Sequence, residues 1–150
     1  MPEAWRIVKV KHVATAFSGE GAAKYGGRWN SRGVPVVYAS ATRSLAALET
    51  LVHLNPPVYF QYRIIRAEFA DELTSTVSHL PRDWKSQPPS PSTKRLGDVW
   101  VRTARSAVLA VPSVIVAGEL NYLLNPAHLD FKRIVIGKPE RFGFDPRLVT

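Results

Sequence analysis

Val34-Pro35-Val36-Val37-Tyr38-Ala39-Ser40-Ala41-Thr42-Arg43-Ser44-Leu45-Ala46-Ala47-Leu48-Glu49-Thr50-Leu51-Val52-His53 changes its hydrophobic period partway along, and that change decides how the chain is built. Residues 34–39 are mostly β-branched or aromatic, which predicts a short strand. From Thr42 to Leu54 the period lengthens: Leu45, Leu48, Leu51 and Val52 recur at the spacing of one helical face. Ser40 or Thr42 suits the N-cap, because a hydroxyl there accepts a bond from an orphan helical amide. Asn55-Pro56-Pro57 ends the helix, since the residue before a proline is pushed out of the α region.

Outward from this strand and helix, the same reading gives an opening strand at Trp5–Val10 and a loop over residues 14–34. Gly19, Gly21, Gly26, Gly27 and Gly33 let that loop approach something closely. Tyr59–Phe69 reads as a strand, residues 81–93 as an exposed Pro-rich connection, and Leu96–Leu109 as a helix. Val111–Val116 is a short apolar strand, Leu120–Leu124 leads into an Asn125-Pro126 turn, and Phe131–Ile136 is a last strand. Strands interleaved with two or three helices predict an α+β domain rather than a regular βαβ series.

The 150 residues suit one domain, 1–150, and 45% hydrophobic with 21% charged residues is ordinary globular usage. With no cysteine, a disulfide framework, a thiolate metal site and a Cys nucleophile are all excluded. The N-terminus does not read as a signal peptide, and no apolar run approaches the roughly 18 residues of a membrane helix. The expectation is a cytoplasmic protein without a membrane partner. Twenty Lys and Arg against twelve Asp and Glu leave a formal charge of +8, which attracts polyanions: nucleic acid, a dinucleotide or an acidic protein. The basic residues are spread along the chain without the runs that mark nucleic-acid tails.

Three features can carry chemistry. In Tyr25-Gly26-Gly27-Arg28-Trp29-Asn30 the glycines admit a ligand to the backbone and the Arg28 fork can grip a phosphate or ribose oxygen; a tight turn with a surface Arg is the plainer alternative. Tyr38 can stack on a ligand ring while its hydroxyl finds a partner, or can simply be a core tyrosine. Glu49 is the most informative: at about 100° per residue it lies about 40° from Leu45, with Val52 about 20° to the other side. That puts the carboxylate at the edge of the buried stripe, where it needs a partner and marks a site. His53, one turn on, falls beside it, so a plain Glu–His helix pair is the alternative. His12, His53, His79 and His128 have no metal-ligand spacing, so no metal is expected, although Glu49 and His53 could in principle share one. Gly19-Glu20-Gly21 lacks a dinucleotide fingerprint, and Ser113 lacks a Gly-x-Ser-x-Gly context.

Five ordered motifs together resemble the RES domain family: Gly-Gly-Arg28-Trp-Asn, Pro-Val-Val-Tyr38-Ala-Ser, Ala-Ala-Leu-Glu49-Thr-Leu-Val-His53, Val-Pro-Ser113-Val-Ile-Val, and Glu119-Leu-Asn-Tyr122-Leu-Leu-Asn125-Pro-Ala-His128. The Arg, Glu and Ser of the family's name are best matched by Arg28, Glu49 and Ser113. The resemblance covers essentially the whole chain and implies an ADP-ribosyltransferase-like fold, small mixed or antiparallel sheets flanked by helices around an NAD cleft. It further implies a bacterial toxin that cleaves the nicotinamide–ribose bond of NAD, with ADP-ribosylation of a target protein as the alternative outcome. NAD is then a substrate, not a tightly bound cofactor. The implied partner is an Xre-type helix-turn-helix antitoxin that covers the active site and carries the pair to DNA. In this reading Glu49 stabilises the charge that builds on the ribose, Arg28 holds phosphate or ribose, and Tyr38 stacks on nicotinamide. Ser113 and Asn125 complete the polar lining, and His53 orients Glu49 or contacts the ligand. A basic nucleic-acid-binding or RNA-cleaving toxin is the competing class, although no aromatic RNA-binding strand motif is present.

Overall fold

The structure, a computed structural model, describes residues 1–53 and 60–149. Among them eight strands share one sheet: β1 (Glu3–Lys9), β2 (Val37–Ser40), β3 (Tyr62–Glu68), β4 (Thr74–Thr76), β5 (Val108–Pro112), β6 (Leu120–Leu124), β7 (Val135–Ile136) and β8 (Glu140–Phe142). The order is β4-β5-β6-β2-β1-β3-β7, with β8 also on β3. Every pairing is antiparallel except β4 with β5, so the sheet is mixed and the class is α+β, as expected. No helix among the described residues is long and apolar enough to cross a membrane.

Register decides which residues share a face, because side chains alternate along a strand and paired residues point the same way. Trp5 pairs with Ser40 and Ser40 with Asn121, so these three stand on one face with Ile7, Tyr38 and Leu123. Two helices cover that face. α2 (Arg43–Leu51) sets Ala46, Ala47 and Leu51 against Trp5, Ile7, Tyr62 and Ile64, over β1 and β3. α3 (Pro91–Arg102) sets Trp100 against Leu109, Val111 and Leu123, over β5 and β6. Between the helices the face presents Tyr38 and Ser40 of β2 and Asn121 of β6. The opposite face buries Ala4, Val37, Ala39, Ala67, Phe69, Val108 and Leu124, with Tyr122 of β6 beside them and Phe17 and Phe131 packed against them.

Several expected boundaries move. The glycine-rich stretch 14–34 is not all loop, since it contains α1 (Glu20–Tyr25). Of the two candidate caps, Thr42 is the one used: its Oγ1 accepts from the Leu45 amide at 3.1 Å. Asn55-Pro56-Pro57, expected to end α2, lies outside the described residues. The second long helix was expected at Leu96–Leu109 but runs Pro91–Arg102. Pro91 opens it because the first helical position needs no amide donor. It closes on Ala104 in a left-handed conformation, φ 50°, with Ala104 N–H bonded to the Val101 carbonyl and Arg105 N–H to that of Trp100. The chain thus turns early without the glycine that usually announces such a stop. The strand expected at Val111–Val116 is Val108–Pro112, buried along most of its length and therefore continuously apolar. Phe131–Ile136 is mostly a 3-10 turn, Leu129–Arg133, capped when His128 Nδ1 accepts from the Asp130 amide; only Val135 and Ile136 pair as strand.

Candidate active site

The region between α2 and α3 has as its floor Tyr38 and Asn121, both half-buried, and the buried Ser40. Glu49 enters it from α2. On that helix the fully buried positions are Leu45 and Ala46, and Glu49 falls between them on the helical wheel, while Leu48 (39% exposed) and Val52 (60%) lie outside. Glu49 itself is half-buried, as a carboxylate flanking the buried stripe should be. There its Oε2 accepts from Ser113 Oγ at 2.9 Å and from Asn121 Nδ2 at 2.5 Å. Asn121 is fixed in turn, because its Oδ1 accepts from Ser40 Oγ at 2.7 Å. Ser113 follows β5 and is itself held, its Oγ accepting from the Ile115 and Val116 amides at 3.1 Å each. Two donors on one oxygen fix the carboxylate plane, and among the described residues no donor reaches Oε1. Glu49 thus presents one oriented, uncommitted acceptor.

The opposite wall is the segment Gly26–Ser31. The phenol of Tyr38 donates to Asn30 Oδ1 at 2.6 Å and accepts from the Trp29 amide at 3.0 Å, tying this segment to the floor. Gly27 is required there: a Cβ at that position would lie 2.7 Å from the Tyr38 hydroxyl. Asn30 is fully buried and its Nδ2 donates to the carbonyls of Ala22, Ser31 and Val34, so it organises the whole turn. Burial pushes the Tyr38 phenol well above its ordinary range, which keeps it a neutral donor.

Arg28 stands beside Trp29 on this wall. Its NH1 donates to the carbonyls of Trp84 and Ser86 at 3.0 and 2.8 Å, and its NH2 to Gln87 Oε1 at 2.8 Å, so the Pro-rich connection anchors it. Partial burial lowers its pKa, while the negative charge of Glu49 and the Tyr38 phenol oppose that shift. Arg28 therefore lies within electrostatic reach of both Glu49 and Tyr38.

Of the residues expected from sequence, the structure joins Glu49 and Ser113 directly and sets Arg28 and Tyr38 opposite them. His53 is exposed beyond the end of α2, and no described contact ties it to Glu49. Asn125 is buried in the turn after β6, where its Oδ1 accepts from the Ala127 amide at 3.0 Å and its Nδ2 faces the Val101 carbonyl at 3.4 Å; these bonds serve the turn. Sequence reasoning missed Asn121, Ser40 as its support, and Asn30. All three fall inside the quoted motifs, but the register that brings them together, and with it their roles, is not written locally.

A mixed sheet with a carboxylate clasped between α2 and α3 fits an ADP-ribosyltransferase-like architecture. Comparison with known proteins narrows this: the model of the RES domain matches residues 3–145, and the chain belongs to that family. It is 40% identical to a protein of Sphingobium sp. (strain YBL2) named "Prs ADP-ribosylating toxin", over 97% of this chain and 95% of that one. It is 38% identical to "Toxin Res" of Photorhabdus laumondii, over 97% of this chain and 96% of that one. "Toxin Res" of Yersinia enterocolitica is 36% identical, over 96% of this chain and 97% of its own length.

Proposed function

We propose that this protein is a toxin that binds NAD as its substrate and breaks the bond between nicotinamide and ribose. The observation that carries the proposal is the clasp on Glu49, which spends one carboxylate oxygen on Ser113 and Asn121 and leaves the other for a ligand. Nicotinamide departs with the bonding electron pair and becomes neutral, so positive charge builds on the ribose. A fixed carboxylate beside that sugar stabilises this charge more in the transition state than in the ground state, which is the condition for acceleration. Oε1 of Glu49 accepts from a ribose hydroxyl, and the Tyr38 ring packs against nicotinamide. Arg28, with the chain's overall charge of +8, draws in the phosphates. An acceptor then attacks the anomeric carbon and gives up a proton. Water or phosphate as acceptor depletes NAD, whereas a protein side chain yields an ADP-ribosylated target. The name of the Sphingobium relative favours the latter as a second reading.

A toxin of this kind acts in the cytoplasm and needs a partner to silence it. That partner is an Xre-type helix-turn-helix antitoxin whose acidic or C-terminal segment covers the cleft near Arg28 and excludes NAD, and DNA is reached only through it. Purified protein incubated with NAD is expected to release nicotinamide, and mass analysis with and without phosphate identifies the acceptor. Intact NAD after prolonged incubation, with neither free nor protein-bound ADP-ribose formed, contradicts the proposal. Undiminished NAD affinity in the toxin–antitoxin complex contradicts the blocking role.

A further inference from the structure

Three α3 residues on one helical face meet the wall segment that carries Arg28. Lys94 Nζ donates to the Gly27 carbonyl at 2.6 Å and faces that of Asn30 at 3.5 Å. Gly97, one turn along, lies so close to Trp29 that a Cβ there would fall 1.6 Å from the Trp29 carbonyl oxygen. Asp98 is buried, and its two carboxylate oxygens accept from the Ser31 amide at 2.9 Å and the Ser31 hydroxyl at 2.6 Å. A cation, a missing side chain and an anion at positions i, i+3 and i+4 thus engage residues 27 and 30, residue 29, and residue 31 respectively. Charge-assisted bonds to backbone groups are strong and directional, and here they bracket Arg28 on both sides. Lys94 has no carboxylate partner among the described residues; its described bonds go to this segment's carbonyls.

We infer that Lys94, Gly97 and Asp98 form a platform that fixes the height and direction of Arg28 in the cleft. They are positioning residues for substrate capture and do not touch the reacting atoms. This inference rests on the NAD-cleaving reading for its functional consequence, though the platform itself does not. A segment released from α3 leaves Arg28 held only by its side-chain bonds to Trp84, Ser86 and Gln87. Its backbone then shifts relative to the phosphates, a loss of binding shared by ground and transition states, so KM rises while kcat holds. The effect must also pass through Arg28, which a double-mutant cycle isolates.

The experiment compares four proteins, wild type, Lys94→Met, Arg28→Ala and the double variant, by nicotinamide release from NAD and by amide hydrogen exchange. Lys94→Met keeps the aliphatic stem and removes the donor. It is expected to raise KM about tenfold in the wild-type background with kcat within about twofold, and to change KM less than about twofold when Arg28 is already Ala. Lys94→Arg, which can still donate to both carbonyls, should recover most of the affinity. Independently of any turnover, amides of residues 26–31 should exchange faster in Lys94→Met while those of β5 stay protected. An unchanged KM, or an equal rise in both backgrounds, overturns the capture role. Unchanged exchange over 26–31 overturns the platform itself. A wild type that leaves NAD intact overturns the NAD reading instead, and the exchange result then decides the platform alone.

Discussion

Glu49 shows how a residue's chemistry is decided by what its neighbours leave unused. Its two donors come from separate places in the fold, Asn121 from β6 and Ser113 from the turn after β5, and both bonds converge on Oε2. A hydrogen bond to a charged group contributes about 1.5–3 kcal/mol, so the Asn121→Ala variant should slow nicotinamide release by roughly ten- to a hundredfold. Because Asn121 is only half-buried, its loss should lower the thermal midpoint little. Steady-state kinetics beside a melting curve checks this, and wild-type turnover in Asn121→Ala would remove the clasp from the mechanism. That Glu49 needs a polar partner was legible in the sequence, since a lone carboxylate beside Leu45 on a half-buried helix face demands one. The identity of the partner was not. Asn121 lies 72 residues away and meets Glu49 only because β6 pairs with β2 in the register Ser40↔Asn121.

Elements were legible where hydrophobic period and capping agree. β2 and α2 follow directly from the stretch 34–53, where β-branched residues give way to a Thr cap and an i, i+3, i+4 pattern. The expected face of α2 was nonetheless off by part of a turn: Leu48 and Val52 look outward, and Ala46 takes the inner place. Wheel geometry weighs leucine over alanine, whereas close packing on Trp5 and Ile7 admits the smaller residue. α3 was displaced because its stop uses Ala104 at positive φ, a conformation usually reserved for glycine. The same helix carries its own test. The Gly97→Ala variant, favoured by helix propensity, should instead destabilise the protein by about 1–3 kcal/mol, because the added methyl overlaps the Trp29 carbonyl. Thermal or urea unfolding measures it, and a stability equal to or above wild type would contradict the close contact of α3 with the Arg28 segment.

At the scale of the whole molecule, one sheet does two jobs. Its covered back face, from Ala4 to Leu124, holds the strands in register, while its front face carries α2 and α3 with Tyr38, Ser40 and Asn121 between them. The α+β class and the positions of Arg28, Tyr38, Glu49 and Ser113 could be read in advance from ordered motifs. The supporting residues Ser40, Asn30, Lys94 and Asp98 could not, because each acts through a partner distant in sequence or through backbone atoms that carry no sequence signature. The +8 charge gives direction to encounter and no geometry; the geometry comes from the wall segment, the floor and the clasp. All of it converges on the carboxylate of Glu49, and the most direct measurement replaces that charge alone. Glu49→Gln keeps the shape of the side chain, so its circular dichroism and melting curve should match wild type, while the rate of nicotinamide release from NAD should fall by at least about a hundredfold. A correctly folded Glu49→Gln protein that releases nicotinamide at the wild-type rate would contradict the account.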